Sequence, residues 1–218
     1  HCISNSILHL KAAYSFDQNR IAKSLWKKLL PFQREGIEQV LLLVLVGKVS
    51  ESVAAQIVMK FNGRCIVADE MGLGKTVQAI GLISYYHDDL PVLIVVPSSL
   101  RFHWKDTLLN WLPEIDENRI HVISSGSCHV TNTRFGSNLV AGSDWPRNEN
   151  SVDFMIISYA LLSKFQSDIL QWNPRFTILD ESHFIKTLTT QRSRAAAPII
   201  KGFKPFRFSF HVVNAMIR

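Results

Sequence analysis

Two short stretches carry residue types whose spacing could do chemistry. The first is DEMGLGKT, Asp69 to Thr76. Gly72 and Gly74 let the backbone take positive φ and come close to an anion. Successive N–H groups at the start of a following helix then line an anion-binding nest. Lys75 stands where an ammonium reaches the β- and γ-phosphates of a nucleotide, and the Thr76 hydroxyl can ligate Mg²⁺. One position departs from the usual GxxxxGK[ST] pattern: Asp69 occupies the place of the first Gly. The second stretch is FTILDESH, Phe176 to His183, a short and mostly apolar strand ending in two carboxylates. Asp180 is suited to hold Mg²⁺, usually through water, and Glu181 to orient or deprotonate an attacking water. An acidic pair also suits a helix N-cap, so each stretch gains its weight from the other.

Such groups need a scaffold that sets strand ends beside helix starts. Short β-rich runs recur at Cys65–Ala68, Val92–Val96, Ile120–Ile123, Phe154–Ser158 and Phe176–Leu179. Helix-like segments, Thr76–Tyr86 and Leu100–Leu112 among them, lie between. Continuous apolar strands alternating with helices predict an α/β fold with a mostly parallel sheet. Ser124–Ser151 is rich in Gly, Ser and Asn and reads as a loop. Phe206–Val213, FRFSFHVV, alternates like a half-exposed strand. Trp104 and Trp111, seven apart on a helix, are expected to share a buried face.

Composition is that of a globular chain: 218 residues, 47% hydrophobic and 19% charged. The longest apolar run, Val40–Val46, is seven residues, far short of the ~20 a membrane helix needs. Cys2, Cys65 and Cys128 form no CxxC pair and are odd in number, which argues against a zinc site or a disulfide framework and fits a reducing compartment. The net charge of +6 is carried by the end of the chain: after Glu181 come seven Lys and Arg and no acidic residue. That tail suits nucleic-acid phosphates, or equally a solvated face.

DEMGLGKT and DESH together resemble the superfamily-two helicase-like ATPases of the Swi/Snf type, whose phosphate loop carries Asp in first position. Other segments follow in order. LLPFQREGI (Leu29 to Ile37) resembles the adenine-reading segment, VLIVVPSSLRFHWKDTLLNWLP (Val92 to Pro113) resembles motif Ia, and IISYALL (Ile156 to Leu162) resembles motif Ib. The wording LPFQREG, PSSLRFHW and DESH is most similar to the annealing-helicase, fork-remodelling branch. The resemblance runs from Leu29 to Gly202 and implies the first RecA-like lobe of a two-lobed, ATP-Mg²⁺-driven motor on duplex or branched DNA, acting in the nucleus. By that resemblance Gln33 reads adenine, and Asp69, Gly72, Gly74, Lys75 and Thr76 form the nucleotide loop. Thr76 and Asp180 hold Mg²⁺, Glu181 serves the water, and His183 couples nucleotide state to the motor. Ser98, Ser99 and Ser158 become candidates for DNA-backbone contacts, which position rather than specify. Plainer roles also suit these residues: an exposed helix glutamine, a turn-bonding histidine, helix-capping serines.

The chain departs from the pattern in three places. Residues 40–62 are longer than the family usually allows and read as an insertion. Residues 203–218, FKPFRFSFHVVNAMIR, lack the Ser-Gly-Thr-Pro motif expected there and read as a divergent or truncated tail after an N-terminal flank (1–28) and the lobe (29–202). No second lobe, with its arginine finger, is seen, which with the His1 start suggests a fragment. An RNA helicase of the DExH group and a non-catalytic truncated product are the competing readings.

Overall fold

The structure, a computed structural model, describes residues 16–46, 64–67, 74–88, 90–124, 152–185, 189–201 and 208–212. Among them are six helices: α1 (Lys23–Lys28), α2 (Pro31–Val46), α3 (Lys75–Tyr85), α4 (Arg101–Trp111), α5 (Gln166–Trp172) and α6 (Gln191–Lys201). Six strands form one sheet: β1 (Arg64–Val67), β2 (Val92–Val96), β3 (Ile120–Val122), β4 (Phe154–Ser158), β5 (Phe176–Leu179) and β6 (Phe208–Val212). Their order is β1-β6-β5-β2-β4-β3, and every pairing is parallel. Parallel strands all point one way, so the segments leaving their C-terminal ends gather along one edge of the sheet.

The apolar runs explain why both faces are covered. Along β2, Val92, Ile94 and Val96 pack with α1 to α4, while Leu93 and Val95 pack with α5 and α6. A strand buried on both faces needs apolar side chains at successive positions rather than alternate ones. VLIVV and FMIIS supply them, each buried throughout. At the opposite edge of the sheet from the strand ends, the Arg119 guanidinium pairs with the buried Asp153 carboxylate at 2.6 Å.

Helix ends follow local chemistry. Pro31 opens α2, where a missing N–H costs nothing, and Asn173, at φ 61°, closes α5 in the left-handed conformation. The apolar run Val40–Val46 continues α2, and Leu41 is fully buried. That part of the expected insertion is therefore one helix with the Gln33 segment, while residues 47–63 lie outside the described residues. The strand expected as half-exposed is β6. It sits inside the sheet, hydrogen-bonded to β1 on one side and β5 on the other. Most of the expected loop 124–151, and the tail residues around β6, also lie outside the described residues. No described helix is long and apolar enough to cross a membrane.

Candidate functional site at the carboxyl edge of the sheet

Gly74, which precedes α3, has φ 73° and ψ 35°. Only glycine adopts that backbone readily, and from there α3 begins, Gln78 N–H donating to the Gly74 carbonyl at 3.0 Å. Lys75 is buried in the first turn and Thr76 is half-buried. Asp69 and Gly72 lie outside the described residues.

Gln33 closes the site from α2. It is buried, its side-chain oxygen accepts from Leu30 N–H at 3.0 Å, and its side-chain nitrogen abuts Gly74 so closely that a Cβ there would overlap it. The glutamine is not an exposed helix residue. The two helices approach this closely because Gly81 of α3 leaves room for Ile37 of α2.

From β5 comes Asp180, 5% exposed. One carboxylate oxygen accepts from the Trp104 indole N–H at 2.7 Å and the other from the Glu181 backbone N–H at 2.9 Å. The Asp180 carbonyl accepts from the Tyr159 hydroxyl at 2.7 Å, and its own N–H donates to Val95 at 2.9 Å. Burial pushes the Asp180 carboxyl above its ordinary value, opposed by the Trp104 and Glu181 donors and by the charges of Lys75 and His103. The charge of Lys75, in the first turn of α3, thus acts on Asp180 at the end of β5. The Tyr159 hydroxyl is pushed up by burial first and then by the Asp180 and Glu181 carboxylates. Glu181 takes φ 51°, a left-handed backbone uncommon for a residue with a side chain and found disproportionately at functional sites.

His183 lies in the 3-10 turn Ser182–Ile185 directly after this pair; its side chain is outside the described residues. Ser98 and Ser99 are exposed on the 3-10 turn following β2. Arg101 anchors that turn, donating to the carbonyls of Ser98, Ile123 and Ser124. Ser158 differs: at 1% exposure its hydroxyl is enclosed at the end of β4, and this conformation offers it to no external backbone.

The arrangement fits a phosphate and a divalent cation. The described residues hold no cluster of three or more His, Cys, Asp or Glu suited to a metal. A single carboxylate beside a phosphate-binding turn is, however, how Mg²⁺ is usually held, through one or two carboxylates plus substrate phosphates. The two donors engage only part of the acceptor capacity of Asp180.

The comparisons with known proteins fall on the same segments. A family model described as "SNF2-related domain" matches residues 20–202. The chain belongs to the SNF2-related domain family. The chain is 37% identical over 86% of its length to the cattle protein named SWI/SNF-related matrix-associated actin-dependent regulator of chromatin subfamily A-like protein 1. It is 34% identical over 80% of its length to the human DNA annealing helicase and endonuclease ZRANB3. It spans 16% and 13% of those relatives. A solved structure, the Sulfolobus solfataricus SWI2/SNF2 ATPase core in complex with dsDNA, matches 87% of this chain and 32% of its own with a TM-score of 0.56 at 21% identity. The fold is the RecA-like α/β lobe, and the resemblance to the annealing-helicase branch read from the sequence is borne out.

Two residues of the site escaped sequence reasoning. Trp104 was expected in the core and is there, but its N–H also reaches a carboxylate; Tyr159 was not singled out. The available signal was general: a buried indole or phenol usually finds a polar partner.

Proposed function

We propose that this lobe binds ATP-Mg²⁺ and is the nucleotide-binding half of an ATP-dependent DNA translocase of the annealing-helicase kind. The observation that carries the proposal is the buried Asp180 carboxylate at the end of β5, on which the charge of Lys75 acts, with Lys75 directly following the left-handed Gly74. Gln33 reads the adenine edge, while Asp69, Gly72 and Gly74 shape the loop around the phosphates. Lys75 neutralises charge on the outer phosphates, and Thr76 and Asp180 hold the metal. When bound, Mg²⁺ supplies the positive charge that offsets the β- and γ-phosphate oxygens. Glu181 orients the attacking water and takes its proton, and His183 passes nucleotide state onward. Ser98 and Ser99 face the DNA backbone; duplex or fork-like DNA and a nuclear setting complete the reading.

Positive charge from an opposite lobe is typically worth about 10³–10⁵ in rate for such chemistry. The lobe by itself is accordingly expected to bind nucleotide and to hydrolyse it slowly. The test is titration of the 218-residue chain with ATP-Mg²⁺, with thermal unfolding alongside. Saturable binding that raises the unfolding temperature and vanishes in Lys75→Ala supports the reading. Binding indifferent to that substitution sinks it. Stimulation by duplex DNA rather than RNA, in a protein carrying both lobes, tests the track.

A further inference from the structure

Asp180 stands where the sheet ends. Its N–H makes a bond to β2, through Val95 at 2.9 Å, and the next residue turns into the left-handed region at φ 51°. Beyond that bond, orientation must come from side chains. Trp104 and Tyr159 provide it from two other elements. Trp104, on α4, is 1% exposed, packed in the cluster that includes the fully buried Leu108, and donates to the carboxylate at 2.7 Å. Tyr159, directly after β4, is 3% exposed, and its backbone N–H is bonded to the Val96 carbonyl at 3.2 Å. Its hydroxyl donates to the Asp180 carbonyl at 2.7 Å. A buried indole N–H needs some polar partner; here the partner is a carboxylate, and a charge-assisted bond of that kind is short, strong and directional.

We propose that Trp104 and Tyr159 are positioning residues that grip Asp180 at both ends, the indole fixing the carboxylate for the metal and the phenol fixing the backbone that carries it. The inference rests on the reading of Asp180 as the metal-holding carboxylate. It adds a route: Trp104 is on the helix that follows the exposed Ser98–Ser99 turn, and Tyr159 on the turn after β4. A shift of either segment therefore moves the carboxylate.

Partners that orient a metal ligand typically matter about 10–100-fold in metal affinity. In the 218-residue chain, the Mg²⁺ concentration that half-saturates Mg²⁺-dependent ATP binding is expected to rise about tenfold in Trp104→Phe. A smaller rise is expected in Tyr159→Phe. Binding measured in excess chelator sets the baseline, and cooperative unfolding shows that each variant is folded. Should Trp104→Phe fail to fold, β-(3-benzothienyl)alanine at position 104, which replaces the N–H by sulfur at nearly constant shape, takes its place. An unchanged Mg²⁺ midpoint in folded variants, with normal Mg²⁺ dependence in the parent chain, overturns the grip alone. Absence of Mg²⁺-dependent binding in the parent chain overturns both the grip and the function it rests on.

Discussion

Asp180 accepts two N–H donors and still has its carboxyl pushed above the ordinary range, because burial outweighs the donors and nearby cations. The sign of the consequence follows. The folded-state pKa exceeds the unfolded one, so the acid form is favoured by folding; that stabilisation is full below the ordinary carboxylate range and is lost as pH rises through the raised value. Asp180→Asn, which cannot ionise, should therefore gain stability relative to the parent chain across that rise. Urea unfolding of both proteins as a function of pH measures the difference, and a flat difference curve would refute it. The residue scale is also where the sequence was least legible. Gly74, Lys75 and Asp180 could be read because glycine, ammonium and carboxylate declare their chemistry in isolation. Trp104 could not, since the same indole is either core or donor depending on what stands 76 positions away.

At the scale of elements, the contact between α2 and α3 sets Gln33 against Gly74. It depends on Gly81, where any Cβ would run into the fully buried Ile37 side chain. Gly81→Val should overpack this seam and cost about 1–3 kcal/mol, with weakened nucleotide binding as Gln33 is displaced from Gly74. Chemical denaturation and ATP titration of the variant give both numbers; unchanged stability would mean that the two helices separate without penalty. Elements with one dominant signal were legible. Val92–Val96, Phe154–Ser158 and Phe176–Leu179 stand with the bounds read from their apolar runs. Where two signals competed, the sequence left the place of the segment open. Val40–Val46 looked foreign as sequence, yet its first turn continues a helix whose residue Leu41 is wholly buried. FRFSFHVV alternated like a strand with a wet face, but alternation reports on faces and is silent about which strands lie on either edge.

Across the whole molecule, β6 is the strand that joins the phosphate-loop strand to the rest of the sheet. Among the described residues β1 pairs with β6 and with no other strand. Removing residues 203–218 should leave β5, β2, β4 and β3 contiguous and β1 without its ladder. The expected result is loss of ATP binding together with a lowered unfolding temperature. A shortened chain that binds ATP-Mg²⁺ as tightly as the parent would show that β6 is dispensable. Nothing in the local sequence of β1 announces this dependence, because the pairing joins Val67 to Val212 and is set only when the intervening fold brings them together.

That pairing also has a consequence in time. A chain emerges from the ribosome in order, at about 5–20 residues per second. The β1 stretch is thus made on the order of ten seconds before the strand that will hold it. During that interval β2, β4, β5 and β3 can assemble among themselves, while β1 offers unpaired N–H and C=O groups on both edges. Nascent chains interrupted before Phe208 would carry every phosphate-loop residue and yet lack the strand that joins β1 to the sheet. Nucleotide binding would then report that synthesis had passed β6.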